Sequence, residues 1–160
     1  MKNIIVVDMQ VGFIKENNKH LVEKINNYLK TNKFDNVIYT KYINSHSSPF
    51  VKILGWEGLT ESSEQELCVT MLENSVVFEK EGYGLSLEQL NKIKSFNITE
   101  VEVCGTDSDA CVMMIAYQLF DNGIKPIILK ELCASSSSNS RVNEAAFLIM
   151  ERSFGKNNIV

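Results

Sequence analysis

Two prolines, two histidines and a single tryptophan stand among the 160 residues. So few prolines, with only eight glycines, leave little room for a flexible linker. No internal repeat breaks the chain either, so one domain over residues 1–160 is expected. An excess of basic charge is also missing. Sixteen Lys and Arg face twenty Asp and Glu, for a net charge of −4, which argues against nucleic acid and acidic membrane surfaces as partners. No apolar run approaches the roughly 18 residues of a membrane span. The start, Met1 to Asp8, is too short an apolar run for a secretory signal. The expected location is the cytoplasm. None of the four cysteines, Cys68, Cys104, Cys111 and Cys133, forms a C-x-x-C pair, and both histidines lie far from them in sequence. A zinc site is therefore not expected, and free thiols suit a reducing compartment.

What is present is ordinary for a globular protein: 44% hydrophobic and 22% charged residues. Asn3–Val7, Val37–Tyr42, Val76–Glu79, Val101–Cys104 and Pro126–Leu129 read as strands. Between them come helical patterns. Leu21, Ile25, Tyr28 and Leu29 recur at helical spacing over about 18–31. Ser86 with Gln89 forms a capping-box signature ahead of Leu87, Leu90 and Ile93. Asp109 is expected to cap a helix from about Ala110 to Asn122, with Gly123 at its end. Further helices are expected over 62–72 and 141–153, and a long loop over 43–60. Strands alternating with helices predict an α/β fold: three α/β/α layers around a doubly wound, mainly parallel sheet of Rossmann-like topology. Ligands of such folds bind at the carboxyl ends of the strands.

That rule singles out three residues. Asp8 follows strand one, Lys80 follows strand three, and Cys111 follows strand four by a short stretch. Cys111 would stand in the first turn of a helix, where free N–H groups and the dipole favour a thiolate. Asp8 could take the proton of Cys111 and pass it to a leaving group. Lys80 beside them would lower the thiol pKa and hold the carboxylate. Each residue alone has a plain structural explanation, and only their joint placement on one rim raises the chemical one.

Three segments carry a resemblance: Val7-Asp8-Met9-Gln10 with Gly12-Phe13, Glu79-Lys80-Glu81-Gly82-Tyr83-Gly84, and Gly105-x-x-Ser108-Asp109-x-Cys111-Val112. In this order and spacing the chain resembles the isochorismatase-like cysteine hydrolases, which include nicotinamidases and N-carbamoylsarcosine amidohydrolase. The resemblance implies an Asp8-Lys80-Cys111 triad, a cis peptide before Asp107, and an oxyanion hole formed by the N–H groups of Asp107 and Cys111. Thr106 and Asp107 depart from the small or apolar residues expected there. The resemblance also implies a homodimer or homotetramer.

Nicotinamidases resembling this chain carry an Asp-x-His metal motif and a further histidine. The matching stretch is Asn44-Ser45-His46, and His20 lies on the first helix, on its solvent face. No metal and no other cofactor is expected. That counts against nicotinamide as substrate, because in the family the metal holds the pyridine nitrogen. A thiol at position 111 fits attack on an amide or carbamoyl carbon of a small molecule. Phe13, His46, Phe50, Trp56 and Tyr83 are the candidate substrate-binding residues, on the ground that aromatic walls suit a flat or small apolar group. Two alternatives stand beside this: an isochorismatase-type ether hydrolase, which needs no thiol nucleophile, and a non-catalytic small-molecule-binding domain on the same fold. A phosphotransferase using an aspartate after strand one would need a second acid two residues on, where Gln10 stands. No G-x-G-x-x-G follows strand one, so a dinucleotide site lacks support.

Overall fold

The computed structural model describes residues 2–160. Five strands, β1 (Asn3–Val7), β2 (Asn36–Tyr42), β3 (Val76–Lys80), β4 (Glu100–Gly105) and β5 (Lys125–Cys133), form one sheet in the order β3-β2-β1-β4-β5. All four pairings are parallel. Every residue of β1 is buried, as expected for a central strand covered on both faces. Each of its isoleucines and valines contributes about 1.5–3 kcal/mol over an exposed side chain.

Five helices connect and cover the strands: α1 (His20–Thr31), α2 (Pro49–Leu54), α3 (Leu87–Ser95), α4 (Cys111–Asp121) and α5 (Ser140–Phe154). Helix α1 buries Leu21, Ile25 and Leu29, one stripe at helical spacing. The capping box of Ser86 and Gln89 opens α3. Among the described residues no helix is long and apolar enough to cross a membrane.

Three local expectations need correction. Residues 62–72 hold turns and no helix; Leu67 instead pairs with Gln10 in an isolated antiparallel bridge, which removes the segment's backbone from helical bonding. The loop over 43–60 contains α2, because Ser48 caps it through Val51 N–H, Pro49 stands in its first turn and Gly55 ends it in left-handed backbone. Asp109 does not cap α4. The N-cap is Ala110, which makes no side-chain cap bond.

The strand order reverses direction between β1 and β4, the switch point at which such sheets open a crevice. Gly105 lies there with φ +119°, and a Cβ on it would stand 2.1 Å from the Val7 carbonyl oxygen. Only glycine lets the end of β4 run this close to the end of β1.

Candidate active site

Asp8 leaves β1 with a left-handed backbone, φ 46°. Its N–H bonds back to Thr40 on the neighbouring strand β2, and the Thr40 hydroxyl donates to Asp8 Oδ1 at 2.5 Å. Lys80 closes β3, in register with Tyr42 at the end of β2. From there its ammonium reaches inward, 2.7 Å from Asp8 Oδ2, and donates to Cys111 Sγ at 3.3 Å and to the Gly82 carbonyl at 2.9 Å. The Tyr42 ring lies under it, 5.4 Å from centroid to Nζ. Cys111 is the first residue of α4 and is buried. Three strand ends thus bring the three groups together around one nitrogen atom.

The electrostatics follow from burial and from one cation shared by two acids. Burial opposes the charge on Lys80, but Asp8 and Cys111 outweigh it and raise the ammonium above its ordinary range. Burial also pushes the Cys111 thiol well up, and the Asp8 carboxylate adds to this; Lys80 pulls the other way without winning. Lys80 lowers the thiol pKa as expected, but burial and Asp8 outweigh it. A second negative charge beside Asp8 costs more than one ammonium returns. At rest this favours Lys80 as a cation and Cys111 as a thiol.

Ahead of α4 the Thr106–Asp107 peptide bond is cis. The backbone N–H groups of Asp107 and Cys111 meet no protein acceptor among the described residues, while the Asp107 carbonyl takes the N–H groups of Ala110 and Val112. The Asp107 carboxylate accepts from the Thr106 hydroxyl and, at 2.6 and 2.7 Å, from the Ser136 N–H and hydroxyl. Burial lifts its pKa, against the pull of these bonds.

Cys111 opens onto a cavity of about 360 Å³. Of the aromatic candidates, Phe13, Phe50, Trp56 and Tyr83 line it. Phe13 stacks on Trp56 at 6.1 Å, and Phe50 meets Tyr83 edge-on at 4.8 Å. His46 does not line it. The side chain is exposed, because the turn over 45–48 ends in the Ser48 cap of α2 and carries it outward. Tyr42 does line the cavity and was not singled out from the sequence. The rim rule applied to the end of β2 would have found it.

Asn44, matched to the aspartate of the metal motif, is fully engaged within the protein. Its amide donates to the carbonyls of Trp56 and Gly58, and its oxygen accepts from the hydroxyls of Tyr42 and Ser48. An amide so engaged has neither charge nor a free lone pair for a cation. His20 is exposed on α1. Among the described residues no group of three or more His, Cys, Asp or Glu could hold a metal ion. The residues present do not fit the metal motif that the resemblance implied.

No curated protein sequence matches the chain. Solved structures do. The pyrazinamidase of Pyrococcus horikoshii, in complex with zinc, superposes with a TM-score of 0.83 at 18% identity over 96% of both chains. Nicotinamidase from Bacillus subtilis gives 0.77 at 19% over 97% of each. N-carbamoylsarcosine amidase from Thermoplasma acidophilum gives 0.78 at 19%, covering 97% of this chain and 94% of that one. At these identities the likeness is one of fold. The isochorismatase domain model matches residues 2–156, nearly the whole length, and the chain therefore belongs to the isochorismatase-like hydrolase family.

Proposed function

We propose that the protein is a cysteine-dependent hydrolase that cleaves an amide or carbamoyl C–N bond of a small molecule through a thioester. The observation that carries this is the Lys80 ammonium between Asp8 Oδ2 and Cys111 Sγ, at 2.7 and 3.3 Å, with Cys111 lining an aromatic-walled cavity. Burial keeps Cys111 protonated at rest, so attack must be coupled to proton removal, and Asp8 is the base in reach.

Asp8 takes the Sγ proton as Sγ bonds to the substrate carbonyl carbon. The N–H groups of Asp107 and Cys111 receive the developing oxyanion. The C–N bond breaks and Asp8 delivers its proton to the departing nitrogen. Water then adds to the thioester carbonyl, giving its proton to Asp8. The C–S bond breaks, and that proton returns to Cys111. Throughout, Lys80 keeps Asp8 oriented and balances the charge that passes between carboxylate and sulfur.

The test is a panel of small amides and carbamoyl compounds assayed for released ammonia or amine, with intact-protein mass spectrometry after acid quench. Wild type should turn over at least one compound and accumulate an acyl adduct on the Cys111 peptide, both absent in Cys111→Ala. Turnover that persists in Cys111→Ala would overturn the thioester route.

A further inference from the structure

The cavity over Cys111 carries an imbalance of charge. Three acidic residues line it, the half-buried Asp107 and Glu64 and the exposed Asp109, against one further lysine, Lys15, which is also exposed. Lys80 cannot redress this, since its three donors already face Asp8, Cys111 and the Gly82 carbonyl. Among the described residues lining the cavity, an anionic substrate would meet no buried cation.

Asp107 is the most consequential of the three. It lies just ahead of the nucleophile's helix, and its carboxylate is held by three hydrogen bonds from Thr106 and Ser136. A carboxylate has about four acceptor positions, so this one is fixed in place with one position to spare. Phe13, Phe50, Trp56 and Tyr83 line the same cavity. Ring faces attract cations, and the attraction grows where water is excluded. Rings alone would accept a neutral flat group equally well; the fixed Asp107 carboxylate decides between the two.

We propose that the substrate carries a cationic nitrogen, an alkylammonium or quaternary ammonium group, held between the Asp107 carboxylate and the aromatic walls while Cys111 attacks the neighbouring carbonyl. Asp107 then determines specificity through its side chain. The inference rests on the hydrolase reading of the same site.

The test uses thiol reagents of one chemistry and three charges: trimethylammonioethyl, methyl and sulfonatoethyl methanethiosulfonate. Their rates at Cys111 are followed by peptide mass spectrometry and divided by their rates with β-mercaptoethanol under the same conditions. The normalised cation-to-anion ratio in wild type should be about tenfold or more, as expected for a like-charged cleft, and should shrink with added salt. Asp107→Asn should reduce it severalfold, Asp109→Asn by less. If Asp107→Asn does not fold, the wild-type ratio, its salt dependence and Asp109→Asn decide. A ratio near one, a preference for the anion, or a ratio that neither variant changes would overturn the charge selection while leaving the hydrolase reading intact. Failure of all three reagents and of iodoacetamide to modify Cys111 in alkaline buffer would instead remove the nucleophile, and both inferences with it.

Discussion

Lys80 Nζ stands 2.7 Å from Asp8 Oδ2, with the two side chains 2% and 0% exposed. Few arrangements are so asymmetric in their response to mutation. The pair together is close to neutral in stability, because desolvation offsets attraction, but either charge alone is stranded in a low dielectric. Lys80→Met should destabilise the fold by about 3–5 kcal/mol. Asp8→Asn combined with Lys80→Met should recover a large part of that loss. Urea unfolding of the two single variants and the double variant measures the coupling. A double variant as unstable as the sum of the singles would mean that the two groups do not sense each other.

The same geometry sets the pH dependence of Cys111. Burial and Asp8 raise the thiol and Lys80 lowers it. The midpoint of iodoacetamide alkylation should therefore lie above the ordinary value of about 8.5. Asp8→Asn removes the like charge, so the midpoint should fall. Lys80→Ala removes the opposing charge, so it should rise further. The sign is the informative part: a helix N-terminus acting alone would place wild type below the ordinary value and make Asp8→Asn nearly silent.

The strands and the juxtaposition of Asp8, Lys80 and Cys111 were legible in the sequence for one physical reason. In a parallel sheet the strand is buried on both faces, so β1 is a continuous apolar run, and the residue that ends such a run sits on the rim. Asp8, Lys80 and Cys111 were each found from that rule together with their motifs. The strength of the thiol's proton affinity was not, because it depends on how many charges share one buried space, which no single segment encodes. Helix α2 was missed because Ser48-Pro49 resembles a break and is a start, the serine capping and the proline fitting the first turn. His46 was misplaced because its aromatic neighbours turn inward around Asn44 and it does not.

Asn44 gives a separate prediction about the aromatic wall. Four hydrogen bonds tie it to Tyr42, Ser48, Trp56 and Gly58. Asn44→Asp keeps the shape and both acceptors but removes both donors, and sets a carboxylate against two carbonyl oxygens. The expected loss is about 1–3 kcal/mol, localised to the segment that carries Trp56. As Trp56 is the only tryptophan, its fluorescence reports that segment directly. The emission of Asn44→Asp should shift to longer wavelength in folded protein, and zinc should leave it unchanged. A blue shift or a stabilisation on adding zinc would show that the restored aspartate completes a metal site after all.

Gly105 tests whether the switch point itself is what brings the site together. It pairs with Val7 across β1 and β4, one residue before Asp8 on one strand and six before Cys111 on the other. Its φ of +119° is unfavourable for any residue with a Cβ, and the added carbon would stand 2.1 Å from the Val7 carbonyl oxygen, a backbone atom with nowhere to rotate. Gly105→Ala should therefore cost about 3 kcal/mol or more, strain and collision together. Relief can come only by parting the ends of β1 and β4. Any protein that still folds should then show Cys111 alkylation that has lost its sensitivity to Asp8→Asn, since the two residues are carried on the strands being forced apart. Urea unfolding together with the alkylation midpoints of Gly105→Ala and of Gly105→Ala with Asp8→Asn would show both effects. A variant with wild-type stability and an intact Asp8 dependence would mean that the close approach at the switch point is not what holds the triad.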